Sequence, residues 1–496
     1  MDLGAKYEIA RVAEFIRSRS FNRVALQFPD ELLQDSMRVV NALRQELTSC
    51  VKLYVMADTT YGSCCVDEVG AAHVNAECVI HYGHTCLSPT STLPAMFIFQ
   101  KASIAPSNCA GTLLRHGLKS GKPILVLYGL EYAHAIPEIK NLHTSSASSV
   151  LGSTSTLEHI YADVSCSVVS PSEAHGPLNQ CDSISDQIVN EFTAEETCQE
   201  YNIGGLCWKL PQGRKMEDYL LFWIGSEDTA FSNIVLTFNS CEIVRYDARE
   251  DCLITDLSQQ KKVLRRRYYL FEKAKDANMI GILVGTLGAV GYLDMIHRMG
   301  ELITKAGKKS YTFVMGRPNP AKLANFLECD IFINVSCPQT ALLDSKEFLA
   351  PIITPFEAML ALGRGRHWTG SYVVEFRDLI APTPLASEQS DEARFSFIQG
   401  RYVESSNLQE PREHGNDETE KDEILALVNA TEKALQLQND DNQYLKKSVA
   451  RTGVEYFASR SYHGLDISGD NSLPGKFLTG RSGKASGYDD EKTVIV

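Results

Sequence analysis

The sequence predicts an α/β protein built from mostly parallel sheets flanked by helices. Short apolar runs of strand length alternate with segments of helical periodicity, which is the pattern of successive βαβ units. The alternation starts again near Pro123 and once more near Met279, so the body of the chain divides into three blocks of similar size and order. We therefore expect three related domains that arose from a weak internal triplication.

The first block contains four predicted strands with helical segments between them. A helix begins at Pro29-Asp30-Glu31, where acidic residues favour the first turn, and a second helical pattern runs from Cys65 to Glu77. Right-handed connections of this kind imply a mostly parallel sheet. The strands of this block are predicted over residues 24–28, 51–56, 78–83 and 95–99.

The second and third blocks repeat the alternation, with less clarity in the middle of the chain. Residues 143–215 are rich in Ser, Thr and Gly, and we expect them to form loops and insertions. In the third block, a strand that begins at Met279 ends in a glycine turn, and a helix follows over 291–306. The other strands are predicted over residues 123–128, 219–224, 242–246, 311–315 and 331–335.

The end of the chain differs from the body in composition. The acidic segment 410–423 has little to bury and is expected to be a solvated linker, and amphipathic spacing predicts a short helix over 424–435. The aromatic segment 456–465 is expected to dock on the body or on a partner. The predicted divisions are three α/β domains, 1–119, 120–260 and 261–385, and a region with an acidic linker, a short helix and a flexible tail, 386–496.

The composition argues against several classes of protein. A net charge of −14 disfavours a broad nucleic-acid surface. No run approaches the about 18 consecutive apolar residues of a membrane helix. The segment Met1–Lys6 has no charged start followed by an apolar run, so we do not expect a secretory signal. Fourteen cysteines in such a chain favour buried thiols or metal ligands over disulfides. We expect a cytoplasmic protein that binds neither nucleic acid nor membranes.

Four cysteines lie where an apolar run meets small, turn-forming residues. Cys64 and Cys65 come after the second strand, Cys86 after the third, and Cys337 after the last strand of the third block. Ligands of α/β proteins bind at this edge of the sheet, and thiolates that meet there can hold an iron–sulfur cluster. A structural zinc site and buried, reduced thiols are the alternatives.

Neighbouring residues refine these candidates. Adjacent Cys64 and Cys65 are expected to point apart, so that one of them is the ligand. Cys65 is slightly favoured because it begins a helix, whose dipole stabilises a thiolate, but both stay candidates. His81 and His84 are expected to be hydrogen-bonded or solvated, with a role around the cluster as the alternative. The proline after Cys337 stiffens that turn.

Two other segments have weaker signals. The basic run Lys261–Arg267 is expected to be a solvated helix face. The turn Gly285–Gly288 could approach a nucleotide or a sulfonium ligand, but many βα turns have this composition. No Ser/His/Asp arrangement, Walker loop or HExxH element occurs in the sequence.

Taken together, several segments resemble the diphthamide synthesis protein family. The likeness covers about residues 5–370. Its details are closer to the second than to the first subunit of the eukaryotic enzyme of this family. The segments similar to the family's first domain are Leu26–Asp30, Asp58–Asp67 and His81–Cys86, and those similar to its third domain are Gly285–Gly288, Val335–Pro338 and Thr354–Ala358. The segments that favour the second subunit are Gly316–Phe326 and Phe457–Ser461.

The resemblance implies three related α/β domains around a [4Fe-4S] cluster, with Cys65 or Cys64, Cys86 and Cys337 as ligands. It implies the first step of diphthamide formation, in which S-adenosylmethionine is cleaved reductively. The 3-amino-3-carboxypropyl group then passes to a histidine of translation elongation factor 2. The implied partners are the catalytic subunit 1 of a heterodimer, a small electron-donor protein and elongation factor 2 as the substrate.

The middle domain departs from the family's catalytic subunit. That subunit has a cysteine in a Gly-Cys-Thr-Ser-Pro turn, and the nearest segment here, Gly205–Pro211 with Cys207, matches it poorly. We expect Cys86 to replace that ligand, and this chain to be an auxiliary subunit that helps to reduce the catalytic cluster of its partner. A complete transferase acting as a homodimer and a cluster-free scaffold that recruits substrate are the alternatives.

Overall fold

The structure of the protein is a computed structural model. It describes residues 2–57, 59, 61–151, 159–171, 199–256, 258–343, 347–363, 368, 370, 372–380, 394–398 and 400–403. The predicted acidic linker, the helix predicted over 424–435 and the aromatic segment 456–465 lie outside the described residues. Among the described residues, no helix is both long enough and apolar enough to span a membrane.

Helices and strands alternate through the described part of the chain. The helices are α1 (Leu3–Lys6), α2 (Ile9–Ser18), α3 (Asp30–Leu33), α4 (Ser36–Glu46), α5 (Glu68–His73), α6 (Pro106–Ser120), α7 (Ile136–Leu151), α8 (Thr229–Thr237), α9 (Ser258–Asp276), α10 (Tyr292–Lys305), α11 (Pro320–Leu323), α12 (Pro338–Ala341), α13 (Pro355–Leu362) and α14 (Phe376–Ile380). The strands are β1 (Arg23–Gln27), β2 (Lys52–Met56), β3 (Cys78–Gly83), β4 (Ala95–Phe99), β5 (Ile124–Tyr128), β6 (His159–Tyr161), β7 (Asp163–Val164), β8 (Val168–Val169), β9 (Gln199–Ile203), β10 (Leu206–Leu210), β11 (Leu220–Ile224), β12 (Glu242–Asp247), β13 (Cys252–Ile254), β14 (Met279–Val284), β15 (Lys309–Phe313), β16 (Ile331–Val335), β17 (Ile352–Ile353), β18 (Arg394–Ser396) and β19 (Arg401–Val403).

Three main sheets share one strand order. The parallel strands run β2-β1-β3-β4 in the first sheet, β6-β5-β11-β12 in the second and β15-β14-β16-β17 in the third. When the strands of each sheet are numbered by their appearance in the chain, every order is 2-1-3-4. Antiparallel β8 and β13 extend the first and second sheets. The predicted fold class, three related α/β domains with mostly parallel sheets, is confirmed.

The central strands are almost wholly buried because helices cover the faces of the sheets. Every residue of β3, β5, β11 and β16 is buried, as expected for parallel strands between helical layers. Helix α6 packs its apolar face, with Cys109 and Leu113, into the core of the second sheet. The domain boundaries proposed from the sequence remain a prediction.

The middle of the chain is more regular than the sequence analysis expected. Residues 143–151 continue α7, and β9 and β10 form an antiparallel hairpin that pairs with β7. The loop prediction is wrong there because the Ser and Thr residues of α7 hide a helix that buries Ile139. In β10, Leu206, Trp208 and Leu210 alternate with more exposed residues, which is ordinary strand periodicity.

Candidate metal centre

Four thiols meet between the first and third sheets. The Sγ atoms of Cys64, Cys65, Cys86 and Cys337 all lie within 4.8 Å of one another. The Cys64 and Cys337 sulfurs are 3.3 Å apart, although 273 residues separate them in the chain. All four side chains are buried, with exposed fractions of 7% or less. We call these residues the four-sulfur group; the structure brings together every cysteine that the sequence analysis proposed as a ligand.

Cys64 and Cys65 both point into the group because the chain turns at this position. The Cys65 N–H donates to the Gly62 carbonyl oxygen at 3.4 Å, and the two Sγ atoms are 4.0 Å apart. Side chains point to opposite sides only in an extended chain, so the expectation that these two diverge is wrong. Helix α5 begins at Glu68, so Cys65 precedes the helix and does not begin it.

Two buried side chains brace this turn. The Gln27 amide donates to the Cys65 carbonyl oxygen and accepts the Asp67 N–H, both at 2.9 Å. Burial lowers the pKa of His81 to about 4, so its ring is neutral, and Nε2–H donates to the Ser63 carbonyl oxygen at 2.9 Å. The sequence analysis missed Gln27, although an amide inside an otherwise apolar strand signals a buried polar contact.

Cys86 is positioned by the end of β3. Gly83 has a φ of +96°, and a Cβ there would lie 3.0 Å from the Pro29 side chain, so glycine is required at this turn. The Cys86 N–H then donates to the Cys64 carbonyl oxygen at 3.1 Å, which ties the two cysteine loops together. The Cys86 Sγ is 3.7 Å from that of Cys65.

Cys337 comes from the third sheet. It follows β16 and precedes α12, whose first residue is Pro338. Its side chain is fully buried, and its Sγ lies 3.2 Å from the Thr340 hydroxyl. The rigid Cys-Pro turn expected from the sequence therefore holds the sulfur against those of the first domain.

The turn Gly285–Gly288 packs against the loop that carries Cys65. The Thr286 hydroxyl donates to the Cys65 Sγ at 3.5 Å. A Cβ at Gly288 would lie 2.7 Å from the Val66 carbonyl oxygen, so only glycine permits this approach. The glycines that the sequence analysis associated with a nucleotide or sulfonium ligand thus allow close contact between two domains.

Cys64, Cys65 and Cys337 do not ionise independently. A hydrogen bond from Cys64, with one from Cys65, holds the pKa of Cys337 well below its ordinary value. Hydrogen bonding to Cys337 raises the pKa values of Cys64 and Cys65 well above theirs. This pattern is that of one thiolate stabilised by neighbouring thiols. Further thiolates at such short distances would repel one another unless a cation lay between them.

The donor chemistry fits the metals that thiolates select. Soft sulfur ligands favour Zn²⁺, Cu⁺ and iron–sulfur clusters, and the metal-ligand group found among the described residues consists of cysteines alone. The surroundings are apolar, since these sulfurs belong to the buried core of the third sheet. Both donor type and donor number therefore fit an iron–sulfur or a zinc site.

The edge of the second sheet differs from the other two. Cys86 and Cys337 each follow the third strand of their sheets, whereas the third strand of the second sheet, β11, is followed by Gly225–Asp228. Asp228 caps α8 by accepting the Phe231 N–H. The cavity here measures about 20 Å³, which is room for about one water molecule. Cys207 lies on β10 and is not a member of the four-sulfur group.

A larger cavity of about 220 Å³ opens beside the four-sulfur group. Cys65 is the member of the group that lines it, together with Tyr61, His73 and Thr286. Small-molecule sites are usually about 300–1,000 Å³, so this cavity is small for a nucleoside-sized ligand. His84 is exposed and lines the small cavity at the second sheet.

The basic run is not wholly a solvated face. Lys261, Lys262 and Arg265 are exposed on α9 as predicted, but Arg267 is buried. The Arg267 guanidinium donates to both carboxylate oxygens of Glu357, which lies in the first turn of α13. One residue of the run therefore joins two helices of the third domain.

The comparisons with known proteins agree with this architecture. The family model for diphthamide synthesis proteins matches residues 28–373. The chain is 35% identical over 499 residues to 2-(3-amino-3-carboxypropyl)histidine synthase subunit 2 of Danio rerio, covering 99% of this chain and 92% of the relative. The corresponding protein of Schizosaccharomyces pombe is 32% identical over 521 residues, with coverage of 99% and 92%. That of Homo sapiens is 29% identical over 521 residues, with coverage of 99% and 94%.

A solved structure has the same fold. It is Dph2 from Pyrococcus horikoshii with a 4Fe-4S cluster, with a TM-score of 0.53 and 17% identity over 74% of this chain and 94% of that one. The family model begins directly after β1, ends beyond β17 and includes all four clustered cysteines. Because the family model matches most of the chain, and because the relatives are similar to it over nearly its full length, the chain belongs to the diphthamide synthesis protein family.

Proposed function

We propose that this chain is the iron–sulfur subunit of the heterodimeric enzyme that transfers a 3-amino-3-carboxypropyl group from S-adenosylmethionine to a histidine of elongation factor 2. This is the first step of diphthamide biosynthesis. The names of the relatives support the reaction and the word "subunit" in them supports a multi-subunit enzyme. In this proposal the chain is auxiliary: it facilitates reduction of the catalytic cluster in its partner.

The four-sulfur group carries the proposal. We propose that Cys64, Cys65, Cys86 and Cys337 hold a [4Fe-4S] cluster, as four cysteines commonly do. With four cysteine ligands, every iron has a protein ligand and none is open to the sulfur of S-adenosylmethionine. The second sheet supplies no thiol to the group, and the cavity at its edge is too small for a nucleoside. Binding and cleavage of S-adenosylmethionine are therefore assigned to the partner subunit.

When bound, the cluster supplies one-electron chemistry at a potential set by burial and by hydrogen bonds to sulfur. The chain's own residues set those conditions. The Thr286 and Thr340 hydroxyls lie within hydrogen-bond distance of the Cys65 and Cys337 sulfurs. Burial of all four cysteines excludes bulk water. Cys65 lines the cavity of about 220 Å³, and we assign electron entry to this side of the group.

The partners follow from this role. The chain binds the catalytic subunit 1, receives electrons from a small electron-donor protein in the cytoplasm, and acts with its partner on elongation factor 2. The charge of −14 offers an acidic surface for a basic protein. No nucleic acid or membrane takes part.

The test is anaerobic co-purification with the catalytic subunit, followed by iron and sulfide analysis, electron paramagnetic resonance and turnover. Cys86→Ala and Cys337→Ala are expected to lose one cluster per heterodimer and to slow turnover most with a weak reductant. Cys78→Ala is the matched control, since Cys78 is fully buried on β3 but lies outside the four-sulfur group. Unchanged iron content and turnover in both variants would instead favour a cluster-free scaffold.

A further inference from the structure

The spacing of the four sulfurs also bears on which single metal ion the group can hold, and this does not depend on the proposed function. We infer that the four-sulfur group also forms a compact site for a single tetrahedral ion, Zn²⁺ being the ion it fits best, and that this ion and a four-iron cluster exclude each other. The ion would be held by Cys64, Cys65, Cys86 and Cys337, each through one Zn–S bond.

The distances are those of a mononuclear site. Zn–S bonds are about 2.3 Å long, so the sulfurs of a tetrahedral site lie about 3.8 Å apart. The measured separations are 3.3 Å for Cys64–Cys337, 3.7 Å for Cys65–Cys86 and 4.0 Å for Cys64–Cys65. No pair within the group exceeds 4.8 Å. Four thiolates can therefore reach one ion with small side-chain adjustments.

A four-iron cluster needs more room. Its four irons and four sulfides lie between the cysteine sulfurs, whereas a single ion leaves one atom between them. The same four thiolates must therefore move apart to ligate the cluster. Because one ion fills the centre of the compact arrangement, the two cofactors cannot be bound together.

The boundary between the first and third domains is where the group can widen. Cys64, Cys65 and Cys86 are tied together by hydrogen bonds within the first domain, while Cys337 comes from the third. Across the boundary, the described contacts include the Arg317 Nε–H donating to the Tyr61 carbonyl oxygen at 2.6 Å. Gly288 also approaches Val66 there. The compact site thus holds the two domains at their closest approach.

The chemistry balances without an oxidant or a reductant. Each thiol that binds the ion releases its proton to solvent, and four thiolates with one Zn²⁺ leave a site of net charge −2. The burial and apolar surroundings that suit a cluster also keep water from the ion. A fourth thiolate leaves no open position, so the ion is structural and does not activate a water molecule.

The test uses the full chain, freed of metal by a chelator under anaerobic conditions and titrated with Co²⁺. We expect one Co²⁺ per chain with the absorption bands of tetrahedral thiolate coordination, and displacement of Co²⁺ by one equivalent of Zn²⁺. Cys86→Ser and Cys337→Ser should weaken Co²⁺ binding by more than about 100-fold, beyond the usual effect of an outer-shell change. Cys78→Ser should leave it unchanged. Absence of the tetrahedral spectrum, or equal binding by all variants, overturns the inference.

A second measurement keeps the test decisive if a variant does not fold. X-ray absorption at the zinc edge of the wild-type chain should show four sulfurs at about 2.3 Å, and any oxygen or nitrogen ligand contradicts the inference. Cluster reconstitution of zinc-loaded and metal-free wild type separates the two proposals. If the cluster is incorporated only into the metal-free chain, the result supports both the cluster and the single-ion proposal. A chain that takes a cluster but no single ion disproves the inference alone, and one that takes only the ion disproves the cluster.

Discussion

The buried His143 contributes to the pH dependence of the fold's stability. His143 of α7 is 3% exposed, and its ring lies against that of His159, with 4.2 Å between centroids. Burial, with a smaller contribution from His159, lowers the pKa of His143 to about 4. The folded state therefore binds this proton less readily than the unfolded state does. The stability associated with His143 is present above about pH 6.5 and is lost as the pH falls towards 4.

Urea unfolding at pH 7.5 and pH 5 measures this effect. We expect the urea concentration at the unfolding midpoint of the wild type to be lower at pH 5 than at pH 7.5. For His143→Phe this decrease should be smaller. His297→Phe is the control because His297 is exposed on α10. Equal losses in wild type and His143→Phe would show that this histidine does not carry the pH dependence.

The directions of the Cys64 and Cys65 side chains were hard to predict from the sequence. Adjacent Cys64 and Cys65 were expected to diverge, which is correct only for an extended backbone. The turn that brings both sulfurs inward depends on the Gln27 amide and on the His81 ring, which belong to different strands. A local pattern contains no information on those partners.

Among the helices, α9 and α13 are joined by a buried ion pair. Arg267 and Glu357 are 5% and 0% exposed, and Glu357 also accepts hydrogen bonds from the Thr354 N–H and the Tyr372 hydroxyl. Removing one partner leaves a buried charge without compensation, at a cost of about 3–5 kcal/mol. Removing both charges but keeping an acceptor should cost much less than the sum.

A double-mutant cycle measures this coupling. Arg267→Leu and Glu357→Gln should each lower the free energy of unfolding, and the double variant should recover more than about 1 kcal/mol of the summed loss. Glu301→Gln breaks an exposed pair with Lys305 and should change stability by less than about 0.5 kcal/mol. Additive losses in the double variant would contradict the coupling.

The turn after β14 packs against the loop that carries Cys65, and a substitution of Gly288 tests this contact. Gly288→Ala places a Cβ against the Val66 carbonyl oxygen, so the two loops must separate. We expect less iron retained per chain after anaerobic reconstitution and gel filtration. Gly300→Ala is the control: it lies within α10, has no atom within 4 Å of the added Cβ, and should stabilise the helix by up to about 1 kcal/mol. Normal iron retention in Gly288→Ala would disprove the packing argument.

For the whole molecule, the proposed metal at the four-sulfur group would link two domains that are far apart in sequence. A ligand that binds only the folded state stabilises it by mass action. We therefore expect removal of the metal by a chelator to lower Tm and to increase hydrogen exchange in residues 62–66, 284–288 and 336–341. The central strands β5 and β11 of the second sheet should exchange as before. A Tm that does not respond to the metal would exclude this link.

The sequence by itself determined the fold class, the repetition and the edges of the sheets on which the cysteines lie. These features follow from apolar periodicity and turn residues, which act over a few neighbouring positions. The segments around the cysteines also indicated the family, and the comparisons confirmed it. In α7 the same kind of pattern failed, because Ser and Thr residues such as the exposed Thr144 and Ser145 are not typical of a helix.

The tertiary structure alone decided which side chains meet. It placed Cys337 3.3 Å from Cys64, put both adjacent cysteines in one group and buried Arg267 of the basic run against Glu357. Each of these outcomes depends on how two distant segments pack, and so on the space and the hydrogen-bond partners that the other segment provides. Periodicity along one segment cannot specify them, because it is unchanged whichever segment lies opposite.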